Sequence, residues 1–186
     1  ILVMFWEVTS ILSYLLIGHY RRRAASRRAA LQALLVTTLG GLVMFVGVVL
    51  LVVDTGTSSI REILAIAPSG PLVDAAIVML LIGAISKSAL FPFHFWLPGA
   101  MAAPTPVSAY LHAASMVKAG VYLIALLSPI AATTPGWRAL TLGLGGITML
   151  VWEGAIGVAN GTISGGTIFA IVLTAGLVAG ALGALS

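Results

Sequence analysis

Charged residues inside apolar segments are the part of this sequence that could do chemistry. Four such residues interrupt long hydrophobic runs: Glu7, Lys87, Lys118 and Glu153. A charge at the centre of a bilayer-spanning helix costs about 2.5 to 3.5 kcal/mol on insertion scales, so such residues usually face a protein interior or water. The chemistry that they predict is the binding, relay and release of protons or cations. The alternative for each is a buried ion pair that fixes helix packing, or a long side chain that reaches the membrane interface.

A polar stripe runs along the apolar segment from Val107 to Leu127. It consists of Ser108, His112, Ser115, Lys118 and Tyr122. At 100° per residue these side chains fall within an arc of roughly 120° on a helix. His112 and Lys118 are separated by about 9 Å along the axis, a gap that one or two waters can span. The stripe therefore predicts a proton or cation pathway, with a purely structural polar seam between helices as the alternative.

Two other segments carry charge at comparable positions. In the first, Glu7, Ser10 and Tyr14 recur at i, i+3 and i+7 and form a narrow polar face. Glu7 is expected roughly 17 Å deep in a hydrocarbon core about 30 Å thick. Lys87 lies five residues before Pro92, which lacks a backbone donor and cannot continue a helix. This predicts a helix that is discontinuous near Lys87 to Pro92, with a helix that simply ends there as the alternative.

The composition indicates the elements that must position these residues. Of the 186 residues, 60% are hydrophobic and 8% are charged, against roughly 45 to 50% and about 25% in soluble domains. A bilayer span takes about 20 mostly apolar residues, and its backbone must satisfy its own hydrogen bonds. The sequence shows no short alternating strands, so it predicts an all-α, multi-pass membrane bundle of about six helices. The helices are expected at Ile1 to Gly18, Leu31 to Val53, Leu72 to about Phe91, Val107 to Leu127, Ala139 to Ala159, and Thr167 to Leu185.

Charge and residue usage exclude several other classes of protein. Five of the nine basic residues lie between Arg21 and Arg28, and the positive-inside rule places this loop in the cytoplasm rather than on a nucleic acid. There are no cysteines, and the three histidines lack ligand spacing, so no metal and no cofactor is expected. No nucleophile or nucleotide motif is visible, so we expect no catalytic residues and no enzyme.

A long family resemblance begins at Lys87 and ends at Leu123, in the run KSALFPFHFWLPGAMAAPTPVSAYLHAASMVKAGVYL. This run resembles the signature of the proton-translocating membrane subunits shared by Mrp-type Na+/H+ antiporters and respiratory complex I. The stretch from Phe5 to Gly18, FWEVTSILSYLLIG, resembles the glutamate-bearing helix that precedes it in that family. The lysine in MVKAG and the FPFHFW run make the chain most similar to the large A subunit of the Mrp antiporter.

The resemblance implies roles for several residues. Glu7 and Lys87 would form an electrostatic pair, with Lys87 on a broken helix, and His112 and Lys118 would continue the path across the subunit. Polar lining would come from Ser10, Tyr14, Ser108, Ser115 and Tyr122. The implied function is exchange of Na+ for protons by one membrane subunit of a multisubunit complex in the cell membrane. The alternative is a proton-pumping subunit of a complex I-type NADH:quinone oxidoreductase.

The last stretch of the sequence departs from the family pattern. A DLK motif and a polar YST-type helix are expected after Met149, but the chain reads WEGAIGVANGTISGG from Trp152. Glu153 in this stretch is expected either as a buried neutral acid or as a functional carboxylate. We therefore expect one partial transmembrane domain over residues 1–186, a fragment of a larger subunit, family-like over 1–149 and divergent over 150–186.

Overall fold

The computed structural model describes residues 1–20, 22–101, 103–109, 116–137, 140–148, 157, 160–161, 164 and 166, without the side chains of Ser108 and Ala109. The chain divides into two compact units, Ile1–Thr134 and Pro135–Ser186. All regular structure in the described ranges is helical, which confirms the predicted all-α class. In the second unit, residues 140–148 are helical.

The described part of the first unit is built from α-helices joined by short connections. They are α1 (Leu2–Ile17), α2 (Ala24–Thr55), α3 (Ile60–Ile66), α4 (Pro71–Lys87), α5 (Trp96–Ala100), α6 (Thr105–Ala109) and α7 (Met116–Ala131). A 3₁₀ turn, Phe93–Phe95, precedes α5. Among the described residues, α2 is the one helix long and apolar enough to cross a membrane, while α1 and α7 are shorter apolar helices.

Two boundaries differ from the sequence prediction. Helix α2 begins at Ala24 rather than Leu31, because the run AASRRAAL is rich in Ala and Arg, which favour helix even outside an apolar segment. Arg27 and Arg28 therefore lie in the helix and not in the loop. Helix α3 lies in the connection that was expected to be a loop, and its seven residues are too few for a search based on span length to detect.

The fourth predicted segment is described in two pieces. Helix α6 lies at its start, and α7 extends to Ala131, past the predicted end at Leu127. Residues 110–115, between the two helices, lie outside the described residues, as do most of the fifth predicted segment and all of the sixth. The count of about six spans therefore stays a prediction.

Close helix packing fixes the position of α4. Helix α2 packs against both α1 and α4, and α4 also packs against α7. A Cβ atom at Gly83 would overlap the Met44 side chain of α2, and one at Gly120 of α7 would overlap the main-chain oxygen of Ala84. Small residues that let helix backbones approach are typical of membrane proteins. The end of α4 is thus held from both α2 and α7.

Candidate functional site

Helix α4 ends at Lys87 because the backbone turns out of the helix directly afterwards. Ala89 adopts a left-handed conformation with φ of 51°, which a residue with a Cβ rarely takes. The Leu90 N–H donates to the Ile85 oxygen at 3.0 Å, the bond that closes a Schellman-type helix end. Helical structure resumes only in the 3₁₀ turn after Pro92. This is the discontinuity predicted near Lys87 to Pro92.

Two side chains fasten this end of the helix. The indole N–H of Trp96, which is fully buried, donates to the Ser86 oxygen at 2.9 Å. It satisfies one of the carbonyl groups that a helix end leaves without an intrahelical partner. The Ser88 hydroxyl donates to the Val117 oxygen of α7 at 2.6 Å. Lys87, between Ser86 and Ser88, is therefore carried by a backbone that is held on both sides.

The Lys87 side chain is fully buried and reaches from α4 to α1. Its ammonium donates to the Trp6 oxygen at 2.5 Å, to Thr9 Oγ1 at 2.5 Å and to Ser10 Oγ at 3.1 Å. The Trp6 ring centroid lies 4.7 Å from the same nitrogen. An ammonium has three donors, and here all three meet neutral oxygens. We call Trp6, Thr9 and Ser10 the lysine cradle.

The geometry of α1 produces this cradle. The buried face of the helix carries Trp6, Ser10, Ser13 and Ile17, which recur at the spacing of one helix face. Thr9 Oγ1 and Ser10 Oγ donate to the Trp6 oxygen at 2.8 Å and 3.2 Å. Because the hydroxyl protons are used in this way, the oxygen lone pairs remain available to accept from an ammonium. The cradle thus matches a protonated lysine.

Glu7 follows Trp6 in the chain but lies against α2. A Cβ atom at Gly41 would overlap Oε1 of Glu7, so the glycine leaves the space that the carboxyl group occupies. The Thr38 side chain, one turn earlier on α2, hydrogen-bonds this carboxyl group, and Lys87 interacts with it through space. Within the described part of the chain, Oε1 is buried without a hydrogen-bond partner. The cradle separates the acid from direct contact with the ammonium.

The other predicted site residues do not join this cluster. Tyr14 is 37% exposed and borders a separate cavity of about 330 Å³ with Arg27. Lys118 is exposed, and Tyr122 is 67% exposed. Ser108 lies in α6 without a described side chain. His112, Ser115 and Glu153 lie outside the described residues.

Sequence reasoning missed three residues of the site. Trp6 and Thr9 carried a usable signal, because both lie within one helical turn of Ser10, which was predicted. Thr38 carried less, since Thr37 beside it is also a threonine in an apolar helix. Thr37 donates to the Ala33 oxygen of its own helix at 2.9 Å, and only the packing of α1 on α2 distinguishes the two.

No second site of comparable chemistry is present in the described residues. An apolar cavity of about 470 Å³ lies in the first unit, and its walls include Phe45, Leu80 and Leu127. Neither Glu7 nor the cradle lines it. Within the same part of the chain, no group of three or more His, Asp and Glu side chains could hold a metal ion.

Comparison with known families identifies this arrangement. Residues 1–163 match the model of the transmembrane family of NADH:quinone oxidoreductase and the Mrp antiporter. The chain belongs to this family. The resemblance seen in the sequence is thereby confirmed, and membership in this transmembrane family places the chain in a membrane.

Individual family members match most of the chain. It is 45% identical over 186 residues to the large A subunit of the Na(+)/H(+) antiporter of Alkalihalophilus pseudofirmus, covering 98% of this chain and 23% of that protein. It is 49% identical over 154 residues to the probable A/B subunit of a K(+)/H(+) antiporter of Rhizobium meliloti, covering 81% of this chain and 15% of that protein. The chain therefore spans less than a quarter of the length of these relatives.

A solved structure supports the same family assignment. A chain of the Mrp complex from Dietzia sp. DQ12-45-1b superposes with a TM-score of 0.74 at 39% sequence identity. The match covers 83% of this chain and 17% of the Dietzia chain. The helical bundle described above is thus the fold of part of an Mrp subunit.

Proposed function

We propose that this chain is part of a membrane subunit that exchanges Na+ for protons within a multisubunit antiporter complex. One observation carries the proposal: a fully buried lysine is bound by neutral oxygens beside a glutamate on the same supporting helix. Relatives named as antiporter subunits support it. The chemistry needs no catalytic residue, cofactor or metal, so the chain acts as a transporter subunit rather than an enzyme.

The proposed proton pathway begins at Lys87. This lysine takes up and releases a proton under the control of Glu7, and the proton passes through water toward His112 and Lys118 while a cation moves in exchange. Ser108 and Ser115 line the pathway in the same proposal, as do Ser10, Tyr14 and Tyr122.

Electrostatic attraction is strong enough to control this step. Two opposite charges at 4 Å attract by about 4 kcal/mol at an effective dielectric of 20. A charge that crosses 100 mV exchanges about 2.3 kcal/mol with the membrane field. A shift of the ammonium from the cradle to Glu7 therefore involves more energy than the field supplies, and the pair can gate proton release.

The membrane arrangement is proposed as follows. The loop that begins at Arg21 and the first turn of α2 up to Arg28 face the cytoplasm of a cell membrane, as the positive-inside rule requires. Residues 1–186 form one transmembrane domain, which packs with partner subunits and with further helices of its own subunit.

The direct test is Lys87→Ala in the complete antiporter complex. In everted vesicles, we expect Na+-driven proton movement, followed by dye quenching, to be abolished while the amount of assembled complex is unchanged. Arg61→Ala is the control, because Arg61 is an exposed cation on α3. Undiminished proton movement in Lys87→Ala would show that the lysine has no part in transport.

The same assay decides between the candidate functions. Replacing Na+ by K+ tests the cation, since one relative is named as part of a K(+)/H(+) antiporter. The family also includes NADH:quinone oxidoreductase subunits, so a proton pump is the second candidate. Proton movement that follows NADH oxidation and ignores both cations would establish the pump.

A further inference from the structure

Trp6 is buried in a way that leaves its polar group unused. The side chain is 6% exposed, and its indole nitrogen has no hydrogen-bond partner among the described residues. A buried tryptophan N–H usually finds a partner. What the structure uses instead is the face of the ring, whose centroid lies 4.7 Å from Lys87 Nζ.

The ring face supplies what the neutral oxygens of the cradle lack. A buried ammonium without a contacting carboxylate is costly, and hydrogen bonds to neutral oxygens offset only part of this cost. The π-electrons of an aromatic face attract a cation within about 6 Å of the centroid, and tryptophan gives the strongest attraction. We propose that Trp6 is a positioning residue, whose ring face holds the protonated Lys87 ammonium in the cradle and apart from the Glu7 carboxylate.

This inference rests on the proposed function, because Lys87 is taken to carry the transported proton. Residue 6 then sets how readily the ammonium leaves the cradle for Glu7. The main-chain oxygen of residue 6 remains after any substitution, so the ring can be changed while a hydrogen bond to Lys87 is retained.

A second tryptophan at the same helix end provides a matched comparison. Trp96 is also buried, but its indole N–H is used, because it donates to the Ser86 oxygen at 2.9 Å. Phenylalanine preserves an aromatic face and removes the N–H. The two positions are therefore expected to respond to phenylalanine in opposite ways.

The first experiment compares substitutions in the complete complex, with assembly measured for each. Trp6→Leu should lower the rate of cation-driven proton movement by about tenfold, the order expected for loss of a buried cation–π contact. Trp6→Phe should recover the rate to within about threefold of the parent. Trp96→Phe should reduce the amount or thermal stability of the complex. Equal loss in Trp6→Phe and Trp6→Leu would overturn the proposal.

The second experiment varies the electron density of the ring with little change in its shape. Mono-, di- and trifluorinated tryptophan are incorporated at position 6 and, separately, at position 96. Each fluorine weakens attraction to a cation, so the transport rate should change stepwise along the series at position 6 and stay constant at position 96. A flat series at position 6 would contradict the role of the ring face.

A third measurement keeps this proposal separable from the proposed function. The thermal stability of the fluorinated complexes is compared in the Lys87 and Lys87→Met backgrounds. Stability should fall with fluorination at position 6 only when Lys87 is present, whatever the transport activity. If Lys87→Ala transports normally while this dependence holds, the proposed function fails and the positioning role of Trp6 stands; the same loss in both backgrounds overturns the role.

Discussion

The Lys87 ammonium lies 2.5 Å from the main-chain oxygen of Trp6, the residue that directly precedes Glu7 in α1. This contact brings the two opposite charges to the same helix while binding the lysine through an uncharged atom. A peptide oxygen neither titrates nor depends on the side chain that carries it. The lysine therefore has a fixed neutral position beside the acid, and its movement toward Glu7 exchanges hydrogen bonds for charge attraction.

The first prediction is that exchanging the two charges does not restore function. In Glu7→Lys combined with Lys87→Glu, a carboxylate would face the Trp6 oxygen, which can only accept hydrogen bonds. We expect cation-driven proton movement in everted vesicles to stay as low as in either single variant. Recovery to near the parental rate would indicate a simple ion pair in which the cradle has no role.

A second prediction concerns the glycine that faces the glutamate. In Gly41→Ala, the added methyl group would overlap Oε1 of Glu7 and displace the carboxyl group. We expect at least about a tenfold lower exchange rate, because 1.4 kcal/mol is enough for a tenfold change and overpacking typically costs about 1 to 3 kcal/mol. Gly99→Ala is the control, since its Cβ would meet Ala29 Cβ at an ordinary 3.5 Å. Equal rates in both variants would show that the carboxyl position is unimportant.

The third prediction separates two neighbouring threonines. Thr38→Val removes the hydroxyl that hydrogen-bonds the Glu7 carboxyl group, and a hydrogen bond to a charged group contributes about 1.5 to 3 kcal/mol. We expect the exchange rate to fall by about tenfold or more, and Thr38→Ser to restore it. Thr37→Val removes a bond to its own helix only and should leave the rate near the parental value. A loss in Thr37→Val as large as that in Thr38→Val would point to general damage to α2.

A fourth prediction concerns stability at the end of α4. Ser88→Ala removes the 2.6 Å hydrogen bond to the Val117 oxygen of α7, a net loss of about 0.5 to 1.5 kcal/mol. The melting temperature of the complex should therefore fall. The matched variant is Ser86→Ala, because Ser86 Oγ bonds Gly83 of its own helix at 2.8 Å. If Ser86→Ala lowers the melting temperature more than Ser88→Ala, the link between α4 and α7 is not what holds this helix end.

Much of the site was predictable from residue type and position. Glu7, Lys87 and Ser10 were identified because polar residues are costly in apolar helices and must be satisfied by other protein groups. Tyr14 was grouped with them by its spacing, but it lies beside a different cavity. Spacing on one helix indicates a shared face only approximately, and the neighbouring helices decide which members of that face meet a charge.

The sequence by itself determined that the chain is helical and membrane-embedded, and that its charges are few and therefore functional candidates. It also determined the break after Lys87, since proline cannot continue a helix. Only the tertiary structure decided that Lys87 binds the Trp6 oxygen, Thr9 and Ser10, and that Glu7 packs on α2. The physical reason is that hydropathy and helix periodicity act along one chain segment, whereas a hydrogen-bond partner is chosen by the packing of helices distant in sequence.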